Sequence, residues 1–420
     1  MSWCPNQDPI GKSKQTIGAV QASTILPNPN KPLLLCLSHL RWNFVYQRPQ
    51  HLMSRFAKHY EVLFFEEPCA SQSASARLAV KMTEEGVRVL TPYIPKADLE
   101  ANRAVKIQRE LLDRYLSLTQ VDPVLWYYTP MSMAFTDHVR ASLIVYDCMD
   151  ELSAFRGAPP QLLEYEKRLL DRADLVFTGG YSLYDAKRKH HANTHPFPSS
   201  VDIAHFKAAR RVTGQAEDQA AISGPRLGFY GVIDERLDLE LIDAVAAARP
   251  EWQIIMIGPV AKINPDELPQ RPNIHYLGPK VYDELPQYLG GWDVALMPFA
   301  INEATRYISP TKTPEYLAGG RPVVSTPIRD VVNSYGDTGL VHIASDSASF
   351  IQAVETALAS MQQPEQVAHM ADLILMGMSW DDTVLRMGNI MEKTIDTAQS
   401  QALEYFPGQY AERPTMSSRV

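Results

Sequence analysis

Ser309-Pro310-Thr311-Lys312-Thr313-Pro314-Glu315-Tyr316-Leu317-Ala318-Gly319-Gly320 gathers the groups a phosphate and a sugar diol would need. The spacing predicts a polar turn, a short helix over Thr313–Ala318 and a glycine stop. The first N–H groups of a helix have no partner within it, and the dipole is positive at that end. Ser309 and Thr311 add hydroxyls and Lys312 adds a charge. Together they could cradle a diphosphate. Glu315, one turn on, could accept hydrogen bonds from the two hydroxyls of a ribose. The same residues also make an ordinary helix start: hydroxyls ahead of it, proline in the first turn and an acid favoured by the dipole.

A second candidate is Tyr230-Gly231-Val232-Ile233-Asp234-Glu235-Arg236, where a strand runs into a glycine. Backbone at Gly231 can approach a ligand closely, and Arg236 could fork onto a phosphate. The plainer reading is a strand-to-helix turn with a surface arginine. It is not a GxGxxG fingerprint, which argues against a dinucleotide cofactor. Nearer the start, His39, Arg41, Trp42, Gln47 and Arg48 lie between a strand and a helix. Flat faces and hydrogen-bonding forks would suit a sugar acceptor; a packed loop would use the same aromatics. Three carboxylates, Asp147, Asp150 and Glu151, close another strand. One of them could take a proton from an acceptor hydroxyl, and Asp150 is preferred because Asp147 sits deeper. His39 is the other candidate base. The histidines at 190, 191 and 195 lack partner carboxylates at ligand spacing, and the four cysteines are scattered, so no metal site is expected.

The elements that must position these residues are legible as alternating apolar strands and helical patterns. That alternation is the sign of parallel sheets with helices on both faces. In the first half strands are expected at Leu33–Ser38, Val62–Glu66, Val87–Thr91, Val124–Tyr128, Leu143–Asp147 and Leu175–Thr178. In the second they are expected at Arg226–Tyr230, Gln253–Ile257, Ile274–Leu277, Val294–Pro298, Pro322–Ser325 and Leu340–Ile343. The domain boundaries read as a flexible segment over 1–30, a first α/β domain over 31–206 and a linker over 207–224. A second α/β domain over 225–378 follows, then a helix over 379–398 and a loose tail over 399–420.

The chain has 420 residues, enough for two domains with cores of their own. Its net charge of −8 argues against sequence-independent nucleic-acid binding. No apolar run approaches the roughly 20 residues of a membrane span. No signal-peptide core is evident, so a cytoplasmic place is expected, with peripheral contact at the inner face of the cytoplasmic membrane left open.

These motifs together resemble GT-B-fold glycosyltransferases of the bacterial surface-polysaccharide type. Ser309–Thr326 resembles the pattern Ser-Pro-Thr-Lys-x-x-Glu-Tyr-Leu-Ala-x-Gly-x-Pro-Val-Val. Gln47-Arg48-Pro49-Gln50-His51-Leu52, Tyr146–Asp150, the Gly231–Asp238 turn and Ser379-Trp380 fit the same group. The resemblance covers roughly 32–393. It implies two Rossmann-like doubly wound domains facing across a cleft. It also implies a nucleotide-sugar donor on the second domain, a glycan or lipid-linked acceptor on the first and metal-independent transfer with no other cofactor. Lys312 and Arg236 would meet the diphosphate and Glu315 the ribose. Retaining relatives carry a first glutamate eight positions before the second; here that place is Tyr307, with Glu303 out of register. His39–Gln47 replaces the usual glycine-rich loop after the first strand. The stereochemistry is therefore open. A sugar-nucleotide epimerase and a non-catalytic nucleotide-sugar-binding protein are the competing readings.

Overall fold

A computed structural model describes residues 30–405, apart from 120, 156, 213, 215 and 304, with the side chains of 399 and 401–405 also left aside. The segment expected to be flexible lies outside these residues except at Asn30, as does the expected tail beyond 405.

In the first domain the strands are β1 (Leu33–Leu37), β2 (Glu61–Phe65), β3 (Cys69–Ser71), β4 (Arg77–Met82) and β5 (Arg88–Pro95). They continue with β6 (Val124–Tyr127), β7 (Leu143–Cys148), β8 (Leu175–Thr178) and β9 (Thr194–Pro196). Their order is β3-β5-β2-β1-β6-β7-β8-β9, all parallel, with β4 antiparallel on β5. β1 is Leu-Leu-Leu-Cys-Leu and every residue is buried. An unbroken apolar run is what a strand covered on both faces requires. Strands β3, β4 and β9 were not expected. β3 and β9 have three residues each, and β4 is half-exposed with Arg77 and Lys81 in its run. Neither pattern carries a period strong enough to read.

The second domain has β10 (Arg226–Tyr230), β11 (Gln253–Ile257), β12 (Ile274–Tyr276), β13 (Val294–Met297), β14 (Val323–Ser325) and β15 (Val341–Ile343). Their order is β12-β11-β10-β13-β14-β15. The order reverses beside β10, which is the place where open α/β sheets bind ligands.

In segment 207–224, expected as a linker without period, the described residues carry regular structure. They form a 3-10 turn at Ala208–Arg211 and a helix at Glu217–Ala220. Gln219 is fully buried and accepts from the Trp292 indole N–H at 2.9 Å. Arg210 donates to Ala318 O at 2.7 Å and pairs with Asp372 at 2.9 Å. The segment thus belongs to the second domain's wall. Its polar composition hid this because hydrogen bonds do much of the anchoring, and the apolar residues it buries, Ala209 and Ala216, are small.

The chain crosses between domains twice, side by side: Val201 N–H donates to Met378 O at 3.0 Å. The last helix, Trp380–Tyr405, then returns to the first domain. Trp380, Met387 and Met391 are buried in the same cluster as Leu52, Phe56 and Trp126. His51 stacks on Trp380 at 4.7 Å, and Tyr282 of the second domain stacks on His205 at 4.3 Å. With Tyr282 5.5 Å from His51, these rings pack the junction between the domains.

Candidate active site

The site starts where β10 ends. Gly231 has φ +144, a region that favours glycine. A Cβ there would collide with Lys312 Cε and lie 2.9 Å from its Nζ. Lys312 opens the helix Lys312–Ala318 and points back over the end of β10, 5.8 Å from the Phe229 ring centre. Among the described residues no carboxylate lies within ion-pair distance of it. Burial lowers its pKa, while Glu315 and Asp234 pull the other way. A lysine so placed is a charge awaiting a partner.

Glu315 is buried on the same helix, and its Oε2 accepts from the Tyr230 hydroxyl at 2.9 Å. Burial raises its pKa; Lys312 and the hydroxyls of Tyr230 and Thr311 limit the rise. The Tyr230 N–H donates to the Tyr316 hydroxyl at 3.1 Å. Strand β10 and this helix are therefore tied by two tyrosines, which fixes Glu315 beside the strand mouth.

Arg236 is not the free surface arginine of the plainer reading. Buried Asp234 grips it through Nε at 2.9 Å and Nη2 at 2.8 Å. Burial works against its charge, but Asp234 prevails and its pKa is raised. The fork fixes the guanidinium plane 5.8 Å from the ring centre of Phe155, a residue of the first domain. Lys262 lies 4.8 Å from the same ring and 3.5 Å from Glu235 Oε1. Both Glu235 oxygens are buried and without a hydrogen bond among the described residues.

On the first domain Asp150 follows β7 and faces these cations. Its carboxylate has no hydrogen-bond or ion-pair partner among the described residues. Burial raises its pKa to about 6, against the pull of Arg236, Lys262, Arg48 and Lys312. Three of those four cations belong to the second domain, so the cleft brings Asp150 and the cradle together. Glu151 is held elsewhere: it pairs with buried Lys187 at 2.8 Å, which also binds Glu166 at 2.7 Å. His39 lies just past β1, with its Nδ1 buried and unpartnered among the described residues. Burial and Lys262 lower its pKa to about 4, so the ring is neutral at pH 7.

The loop expected to bind an acceptor needs correction at two positions, Arg48 and Trp42. Arg48 is buried; its Nη2 lies 2.8 Å from Asp147 Oδ1, and Nη1 donates to Phe197 O at 2.7 Å. No donor face is left for a sugar. Trp42 is buried too, packed edge-on to Phe64 at 5.1 Å, and its backbone N–H donates to Glu66 Oε1 at 2.7 Å. Arg41 is tied to Glu66 and to Pro68 O, each at 3.2 Å. Gln47 is half-buried at the start of the helix Arg48–Phe56, and its N–H donates to Gln50 Oε1 at 3.2 Å. Of this loop, His39 retains an unpartnered ring atom at the cleft. Tyr307, in the place of a retaining glutamate, packs against the first-domain cluster that holds Cys148 and Leu183. Ser309 and Thr311 are half-buried beside the cradle.

Residues 224–360 match the family model for glycosyl transferases group 1. That match covers most of the second domain. The cradle of Gly231, Arg236, Lys312 and Glu315 lies wholly inside it. The chain is also similar to a putative teichuronic acid biosynthesis glycosyltransferase of Bacillus subtilis, with 29% identity over 221 residues. That match spans 48% of this chain and about half, 55%, of the relative. Sucrose-phosphate synthase from Thermosynechococcus elongatus superposes with a TM-score of 0.65 at 15% identity, over 87% of this chain and 100% of that one. Anabaena HepE in complex with UDP and glucose superposes with a TM-score of 0.61 at 15% identity, over 87% and 99%. With two parallel α/β domains facing a shared cleft, the fold is GT-B.

Lys262, Phe155 and Asp234 were not singled out from the sequence. Asp234 sat in the quoted turn two residues before Arg236, and that spacing was the available sign of a fork. Lys262 and Phe155 carry no motif. Their place follows only from two domains meeting.

Proposed function

We propose that the chain transfers a sugar from a nucleotide-diphosphate sugar, with UDP favoured over GDP, to a hydroxyl of a glycan or lipid-linked glycan. The setting proposed is cell-surface polysaccharide synthesis at the inner face of the cytoplasmic membrane. The observation that carries this is the unpaired Lys312 beside Gly231, facing an unpartnered carboxylate, Asp150, across the cleft. The solved neighbour with bound UDP and the name of the Bacillus relative support the donor and the setting. Among the described residues no helix is long and apolar enough to cross a membrane, which fits a peripheral contact.

As the bond from sugar to diphosphate breaks, the sugar becomes oxocarbenium-like and negative charge grows on the leaving oxygen. Lys312, the oriented fork of Arg236 and the first N–H groups of the helix meet that charge. Ser309 and Thr311 add hydroxyl contacts. Glu315 accepts from the ribose, with Tyr230 holding it in place. Asp150, raised toward the working pH, takes the acceptor proton or orients the transferred sugar; His39, neutral, stands behind it as a hydrogen-bonding group. Arg41 and Gln47 shape the first-domain wall on the acceptor side. No metal and no further cofactor enters the scheme.

The epimerase reading needs no acceptor; the binding-protein reading needs no turnover. Incubating the protein with UDP-sugars and a membrane-lipid extract, and following UDP release, separates them. Glycosyl transfer predicts UDP release that depends on the extract. A new sugar isomer formed without extract, or binding with no turnover under any condition, would contradict it.

A further inference from the structure

The two sides of the cleft also touch at a second point, where the turn leading into the cradle meets the first domain. Asp330 opens the helix Arg329–Tyr335 of the second domain and is 3% exposed. Its Oδ1 accepts from the Ser182 N–H at 3.0 Å and from the Ser182 hydroxyl. Ser182 is in the first domain, at the start of the helix Tyr181–Lys187. A second-domain carboxylate therefore satisfies N–H groups that a first-domain helix leaves open.

Gly179 and Gly180 precede that helix, and each is tight on a different side. A Cβ on Gly179 would lie 2.7 Å from Met149 O, next to Asp150. A Cβ on Gly180 would strike Asp330 Oδ2 and lie 2.8 Å from Ser309 Cβ. Gly180 has extended backbone at φ −171, so space rather than conformation demands glycine there. Beside it the Ser199 hydroxyl donates to Ser309 O at 2.7 Å. Ser309 stands three residues before Lys312. The glycine pair is thus a spacer one residue thick, with the strand mouth of Asp150 on one side and the turn leading to Lys312 on the other.

We propose that Asp330 is a positioning residue: by capping Ser182 it seats the Ser309–Lys312 turn on Gly180, and so sets the separation of Lys312 from Asp150. It touches neither nucleotide nor acceptor. The inference rests on the reading above that Lys312 and Asp150 act from opposite sides of the transferred sugar.

Three variants, Asp330→Ala, Asp330→Asn and Gly180→Ala, test it. X-ray scattering reads the separation of the domains without needing any activity. Asp330→Ala and Gly180→Ala are expected to enlarge the radius of gyration; Asp330→Asn, which keeps the accepting oxygen, is expected to match the wild type. In parallel, UDP affinity is measured by titration and turnover by UDP release. For the two Asp330 variants affinity should stay within about twofold, because the cradle lies in one domain, while kcat of Asp330→Ala falls about tenfold or more, as misplaced reacting groups cost rate. A residue of purely structural value would lower the melting temperature but leave scattering and kcat unchanged, and that result would overturn the proposal. Equal scattering for Asp330→Ala and wild type overturns it as well. If UDP bound to no form, the glycosyltransferase reading would fail while the scattering comparison still decided the latch.

Discussion

Arg48 and Asp147 form a forked ion pair that is buried in the first domain, with Arg48 Nη2 2.8 Å from Asp147 Oδ1. The pair joins the first residue of a helix to the end of β7, three residues before Asp150. It makes the Gln-Arg-Pro-Gln-His-Leu run a framework for the site rather than a surface for a sugar. Removing one partner of a buried pair strands the other charge and costs about 3–5 kcal/mol. Arg48→Ala should therefore lose stability of that order in chemical denaturation, with the acceptor KM of the surviving folded fraction little changed. A stable Arg48→Ala protein with a raised acceptor KM would return Arg48 to the acceptor site.

Activity should depend on pH through Asp150. Its pKa is raised from the ordinary 3.8 to about 6 by burial. If it takes the acceptor proton it must be ionised, so kcat/KM should climb as pH rises through about 6 and then level. Asp150→Asn should remove that limb and most of the rate, typically about 10²–10⁴-fold for a lost general base. For stability the sign is opposite. A group that binds its proton more tightly when folded stabilises the fold fully below about 4, and this contribution is lost as pH rises through about 6. Asp150→Asn should therefore flatten the fall in melting temperature across that interval.

Tyr230 and Glu315 should act as a unit toward the donor. Tyr230→Phe removes the hydroxyl that holds Oε2 at 2.9 Å and leaves a buried carboxylate with one donor fewer. Glu315→Gln removes its charge. Each should weaken UDP binding, and the double variant should weaken it by less than the sum of the two, because the groups share one contact. Titration of UDP against the four proteins gives the coupling directly. Strict additivity would separate Tyr230 from the ribose site.

Gly231→Ala should damage the cradle without unfolding the domain. The new methyl group meets the Lys312 side chain, and φ +144 disfavours any residue with a Cβ. UDP affinity should fall by about tenfold or more, since Lys312 must swing away from the pyrophosphate. Circular dichroism should stay near that of the wild type.

Much of this was legible in the sequence because parallel strands write themselves as unbroken apolar runs. β1 and β13 could be read within Leu33–Ser38 and Val294–Pro298 for that reason, and β10 within Arg226–Tyr230 from the apolar residues after its leading arginine. Lys312, Glu315 and Gly231 were legible because a helix start and a glycine at a strand end are local features. The acceptor loop was not, because burial is decided by distant partners. Trp42 depends on Glu66, and Arg48 depends on Asp147, 99 residues away. Phe155, Lys262 and Asp330 were invisible for a related reason. Each gains its meaning from the opposite domain, and no local spacing records which loops will face one another.

The central claim is that Lys312, beside Gly231, and the oriented Arg236 together meet the diphosphate of the donor. Calorimetric titration of UDP into wild-type and Lys312→Ala protein, both in excess chelator, tests it most directly. The account predicts binding to the wild type and a loss of about 1.5–3 kcal/mol, more than tenfold in Kd, in the folded variant, the usual worth of a hydrogen bond to a charged group. Equal affinities for the two proteins, or wild-type binding that vanishes with the chelator, would contradict it.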